Sequence, residues 1–197
     1  MSPLQRIAMG LVIVFGTAKF PAHPHPDWRY YDGLVDPVGW VLVLAGVLAL
    51  SREVDGFEAI RWPAWTAAVV SVPIWFPQLT HRIGDSGLWA LSLPQLAFCL
   101  LMARAVAERA TLEHPPDTYV TKRFGLLMWA FAVAAMLPPI AIGGNVTALD
   151  NTTIAFNYVV DIAFVYYLFR VHRREWLGGP GPLEIHPRKQ EDRPPST

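Results

Sequence analysis

The sequence predicts an all-α fold, a polytopic membrane helix bundle with six transmembrane helices and both termini cytoplasmic. Three observations lead there. Apolar runs of roughly 17–22 residues recur along the chain, the length that crosses a bilayer core. Hydrophobic residues make up 53% of the 197, more than a soluble domain of this size carries. The 16 lysines and arginines gather on alternate connections, as they do in bacterial inner-membrane proteins.

The spans are expected at about 4–20, 34–50, 63–80, 87–107, 122–143 and 153–171. The first has the look of a signal peptide, with Arg6 ahead of "IAMGLVIVFGTAKF". Lys19 and a proline-rich stretch follow it, so we read it as a retained span. Pro73 and Pro77 fall in the third span, Pro94 in the fourth, and Pro138 and Pro139 in the fifth. Within a bundle, neighbouring helices satisfy the carbonyls such prolines free, so kinks are expected instead of breaks. Beyond Trp176 the chain is proline-rich and charged, which gives a transmembrane domain over 1–177 and a disordered cytoplasmic tail over 178–197.

Orientation follows from the connections. With the N-terminus inside, the inner side holds Arg6, Arg52, Arg61, Arg104, Arg109, Lys122, Arg123, Arg170, Arg173, Arg174, Arg188, Lys189 and Arg193. The outer side holds Lys19, Arg29 and Arg82. Aromatic residues fall in two bands: Trp28, Tyr30, Tyr31, Trp40, Trp75 and Trp89 near the outer boundary, and Trp62, Trp65 and Trp176 near the inner one.

The formal net charge of zero argues against a nucleic-acid partner. Cys99 is the single cysteine and sits in an apolar run. That excludes an internal disulfide and a cysteine metal cluster, and no cofactor is expected. Arginine far exceeds lysine and alanine, valine, proline and glycine abound, the bias of a GC-rich bacterial genome.

Asp161 is the sharpest polar feature. It falls near the centre of the sixth span, where an ionised carboxylate costs roughly 2.5–3.5 kcal/mol. Asn157 is one turn earlier on the same face, and Gln95 sits at similar depth in the fourth span. Two readings stand side by side: a site for a polar solute, ion or proton, and interhelical hydrogen bonds that only fix packing. On the outer side, His23, His25 and Asp27, with His81 of the next outer connection, offer imidazole and carboxylate for zinc or copper. Their alternation in a proline-rich segment equally describes a solvated loop.

"YYDGLVDPVGWVLVLAGVLALS" together with the first span resembles the opening of uncharacterised small multi-pass membrane proteins of Gram-positive bacteria. Asp36, Pro37, Gly39 and Trp40, then Leu44 and Gly46, carry the resemblance. It covers the first quarter of the chain. Asp-Pro stands here where those proteins often read Pro-Asp, and the outer connection is longer. The resemblance implies a membrane topology and supplies no mechanism. Read physically, Asp36 caps the start of the second span, Pro37 takes the first helical position, and Gly39 and Gly46 admit a neighbouring helix.

No nucleophile–base arrangement or phosphate-binding glycine loop is visible. The expected function is therefore that of a plasma-membrane accessory, assembly or interaction protein with a protein partner in the bilayer. A small-solute or proton-coupled permease built on Asp161 is the alternative.

Overall fold

The computed structural model describes residues 1–21, 30–144 and 147–181. Its helices are α1 (Pro3–Phe15), α2 (Asp36–Glu53), α3 (Arg61–Ile74), α4 (Pro77–Leu112), α5 (Thr118–Gly144) and α6 (Thr147–Val171). Two strands, β1 (Lys19–Pro21) and β2 (Tyr30–Asp32), pair antiparallel with Lys19 opposite Asp32. The bundle is helical as expected. This short pair is the exception, and it ties together the chain leaving α1 and the chain entering α2.

α1 starts at a Ser2 cap whose hydroxyl accepts the Gln5 amide, with Pro3 at a position whose amide has no helical partner. It ends at Phe15 because Gly16 turns extended. Thirteen residues rise only about 20 Å, short of a bilayer core. Past its end, Asp32 Oδ1 accepts the amides of Ala18 at 2.9 Å and Leu34 at 3.0 Å, which clamps the strand pair.

At α2 the residue in the cap position is Val35, and no side chain caps the helix. Asp36 is the first helical residue, so it does not serve as the cap the sequence suggested. Its carboxylate still stands in the first turn, where it complements the helix dipole. Gly39 faces Gly10 of α1. A Cβ on Gly39 would lie 2.7 Å from the Gly10 carbonyl oxygen, and one on Gly10 would lie 2.5 Å from that of Gly39. Two turns on, a Cβ on Gly46 would meet the Pro3 carbonyl oxygen at 2.8 Å. The two backbones touch along this stripe.

The third expected span, 63–80, is divided. α3 ends at Ile74, Phe76 is extended, and Pro77 opens α4. A residue before proline is pushed out of the helical region, and a proline in the first turn lacks no needed amide. α4 itself breaks at Gly84, whose φ of 70° is one that residues with a Cβ avoid. Among the described residues three helical stretches are long and apolar enough to cross a membrane: Ser86–Leu112, Thr118–Ile140 and Thr152–Val171.

Each helix packs against the next in sequence, and α1 also packs against α6, so the bundle closes into a ring. Leu4, Ile7 and Leu11 of α1, Val43 and Val47 of α2, Phe98 and Met102 of α4, Phe124 and Phe131 of α5 and Phe164 of α6 fill its centre. Trp40 belongs there too: it is 1% exposed and meets the Phe98 ring edge to face at 5.4 Å. It is a core residue, not a member of an outer aromatic band. The outside is apolar. Trp62, Trp65, Val69 and Val72 line the exposed face of α3, Leu126, Trp129, Val133, Met136 and Ile140 that of α5, and Ile154, Tyr158, Ile162 and Tyr166 that of α6.

After α6 the chain folds back. The amides of Gly178, Gly179 and Gly181 donate to the carbonyls of Glu175, Arg174 and Arg173, and Leu177 is fully buried. The described residues thus reach Gly181, and the rest of the expected tail, 182–197, lies outside them.

Candidate functional site

Three polar residues of α6 lie one turn apart on one face: Thr153, Asn157 and Asp161. That face turns toward α4 and α5. A cavity of about 100 Å³ opens there, bounded by Ser92, Gln95 and Leu96 of α4, Phe131 and Ala134 of α5, and Asn157, Val160 and Asp161 of α6. Gln95, Asn157 and Asp161 therefore share one chamber, although they come from two helices far apart in sequence.

Prolines give the chamber its character. Pro138 and Pro139 remove the amides that would donate to the Ala134 and Ala135 carbonyls four residues back. Trp89 of α4 supplies one replacement: its indole N–H donates to the Ala135 oxygen at 3.1 Å. Ala134 borders the chamber. The Ser92 hydroxyl is occupied locally, donating to the Trp89 carbonyl at 2.7 Å. The Asn157 carboxamide oxygen and the Thr153 hydroxyl are buried with no partner, and Thr153 is only 7% exposed.

Among the described residues no direct hydrogen bond joins Asp161 to Asn157 or Gln95. The three side chains border one space without bonding one another directly. Asp161 is half-buried, and its carboxylate lies within electrostatic reach of the fully buried Cys99, one turn beyond Gln95. A carboxylate, two carboxamides and no basic side chain make an oxygen-rich lining that suits water, a proton or a hard cation. One water needs only about 10–15 Å³ of such space, so the chamber has room for several. Pockets for organic ligands are about 300 Å³ or more, well above this one.

His23, His25 and Asp27 of the proposed outer metal site lie outside the described residues, as does the side chain of His81. No group of three histidine, cysteine, aspartate or glutamate residues that could hold a metal ion occurs among the described residues. Asp36, Pro37, Gly39 and Trp40 stand at the α1–α2 seam and the core, away from the chamber.

Sequence reasoning gave Trp89 no role beyond an aromatic band and passed over Thr153. Thr153 had a signal, because it precedes Asn157 by one helical turn. Trp89 had only an indirect one, the proline pair at 138–139 that leaves a carbonyl in need of a donor. Comparison with protein-family models, curated proteins and solved structures gave no match.

Proposed function

We propose that the chain is an integral protein of the bacterial plasma membrane whose six helices all enter the bilayer, with both termini cytoplasmic, and that it serves as an accessory or interaction subunit of a larger membrane complex. The observation that carries the membrane reading is the inverted surface. Large apolar side chains are exposed on the outer faces, as with Val41 at 64%, Val69 at 66%, Trp129 at 67% and Ile162 at 69%, while Asp161 points inward. In water such a surface would aggregate; in lipid it is the solvated one. The short helices α1 and α3 fit this reading as helices that enter the bilayer without reaching across its whole core.

Orientation rests on the basic end. Glu53, Val54, Arg109, Leu112 and Gly178 border one hollow, which places the ends of α2 and α4 and the chain beyond α6 on one side. Arg52, Arg104, Arg109, Arg170, Arg173 and Arg174 belong to those ends, and the starts of α1 and α5, which carry Arg6 and Arg123, meet them where Gly178 adjoins Pro3 and Arg174 pairs with Asp117. Fusion of alkaline phosphatase or green fluorescent protein after Thr197 tests it. A bright fluorescent fusion and a silent phosphatase are expected, and the reverse pair overturns the orientation.

The interaction reading draws on a lateral groove between α4 and α5. It measures about 540 Å³, is floored by Ala107, Gly125 and Ala132 and is walled by Leu100, Met128 and Trp129. A Cβ on Gly125 would meet nothing within 4 Å, so the groove is open to a partner helix. A photo-crosslinker at Trp129 should yield a discrete protein adduct in native membranes. A monodisperse protein that gives no adduct and moves a solute or protons after reconstitution would favour the permease built on Asp161.

A further inference from the structure

At the basic end, the start of α5 and the end of α6 diverge around an open concavity of about 810 Å³, lined by Tyr119, Arg170, Arg173, Arg174, Glu175 and Trp176. The Arg170 guanidinium stands 5.7 Å from the centroid of the Tyr119 ring, and Arg123, one turn along α5, stands at the same distance from that ring. Two like charges are thus held around a single phenol. Neither forms an ion pair among the described residues. Asp117 is engaged by Arg174 at 3.2 Å, and Glu113 by Arg109 at 2.9 Å. Arg173 donates to the Gly181 carbonyl, so the fold-back fixes it at the rim. Glu175 is the one acidic side chain in the lining, against three arginines and the neighbouring Arg123.

A ring face offsets only part of the repulsion between two guanidiniums. An anion bound beside them would offset more of it. Planar guanidinium forks match the tetrahedral oxygens of a phosphate, and several forks together suit a doubly charged group better than a single carboxylate. Tyr166, 54% exposed, lies one turn before Arg170 with its hydroxyl accepting from that guanidinium at 3.4 Å, and Trp176 closes the opposite side. Exposed aromatic surface beside a basic hollow is what a headgroup with acyl chains would meet.

We infer that this concavity binds a phosphate ester, with Arg170, held against the Tyr119 ring, in its lining and Arg123 adding charge from beside that ring. The same chemistry is offered by an anionic lipid headgroup and by a soluble phosphate compound. The lipid arm rests on the membrane-embedded reading; the soluble arm does not.

The test uses the full chain in both arms. In one, the protein sits in phosphatidylcholine nanodiscs containing a minor fraction of phosphatidic acid, and retained lipid is read by native mass spectrometry. In the other, inorganic pyrophosphate is titrated into detergent-purified protein by calorimetry. Selective retention of phosphatidic acid identifies a lipid ligand, and pyrophosphate binding without lipid selectivity identifies a soluble one. In whichever arm binds, R123Q/R170Q should weaken it about 25-fold, at about fivefold per arginine. R104Q removes a guanidinium already paired with Glu108 at 2.7 Å, and should change binding less than about twofold. Absence of binding in both arms overturns the inference, as does R123Q/R170Q protein that binds like the parent. Alkaline carbonate extraction of the protein from cell membranes would sink the membrane reading alone, and the pyrophosphate arm would still judge the concavity.

Discussion

Where α1 meets α2, an added methyl on Gly10 would stand 2.5 Å from a backbone oxygen of the opposite helix. Where α6 passes α4 and α5, the helices leave about 100 Å³ unfilled, and two polar atoms of α6 face inward with no partner. Both are helix interfaces in one ring, yet they are specified in opposite ways. The seam is fixed by missing side chains, so its only freedom is to come apart. The junction is fixed by polar groups and freed carbonyls, so it has room to accept water, a proton or a cation. Stability should therefore concentrate at the first and adaptability at the second.

The largest effect should come from filling the seam. Gly39→Val must force α1 and α2 apart, and thermal unfolding in detergent should register a loss of about 3 kcal/mol or more. Gly125→Ala, whose added methyl meets nothing, should be neutral or gain up to about 1 kcal/mol from helix propensity. Equal losses at the two glycines would erase the contrast.

Next comes the staple above the polar chamber. Trp89→Phe removes the donor to the Ala135 carbonyl and should cost about 1–2 kcal/mol. In a Pro139→Ala background the helix regains its own amide, and the Trp89→Phe cost should shrink by more than half in a double-mutant cycle. Additive losses would mean the indole acts only by packing.

A smaller effect is expected at Asp161. Asp161→Asn keeps the shape of the side chain and should fold with little change. Asp161→Leu should lose about 0.6–2 kcal/mol if polar contacts across the chamber bind the helices together. Leucine at no cost would show that the chamber adds nothing to the fold and leave its chemistry as the reason for the acid. The smallest effect belongs to Thr153→Val, which deletes a buried hydroxyl with no partner and should be neutral or stabilise by up to about 1 kcal/mol. Clear destabilisation there would reveal a bond to water.

Hydropathy made α5 and α6 legible, because their apolar runs are long and uninterrupted by an extended residue. It misjudged α1 and α3 for local reasons. Gly16 releases the chain into a strand pair that the hairpin clamp of Asp32 completes, and that clamp depends on contacts fourteen residues apart. Pro77 could be read as an internal kink or as a helix start, and only the extended Phe76 decides between them. The polar chamber was legible in its parts, since a carboxylate at the centre of an apolar run demands an inward face. Its shape was not, because it depends on how far α4, α5 and α6 stand apart. The glycine stripe could be seen on α2, but its partner Gly10 could be named only once α1 was seen to run against it.

The ring closure between α1 and α6 has a consequence for how the protein is made. α1 leaves the ribosome before α2 and can settle its glycine face on it soon afterwards, but its other flank belongs to a helix encoded some 130 residues further on. At roughly 5–20 residues per second, that flank waits on the order of ten seconds for its neighbour. During that time a two-helix hairpin with a short first member must hold together without the support that later encloses it. The backbone-to-backbone seam is then more than a packing detail of the finished bundle: it is the anchor that keeps α1 in position until α6 arrives.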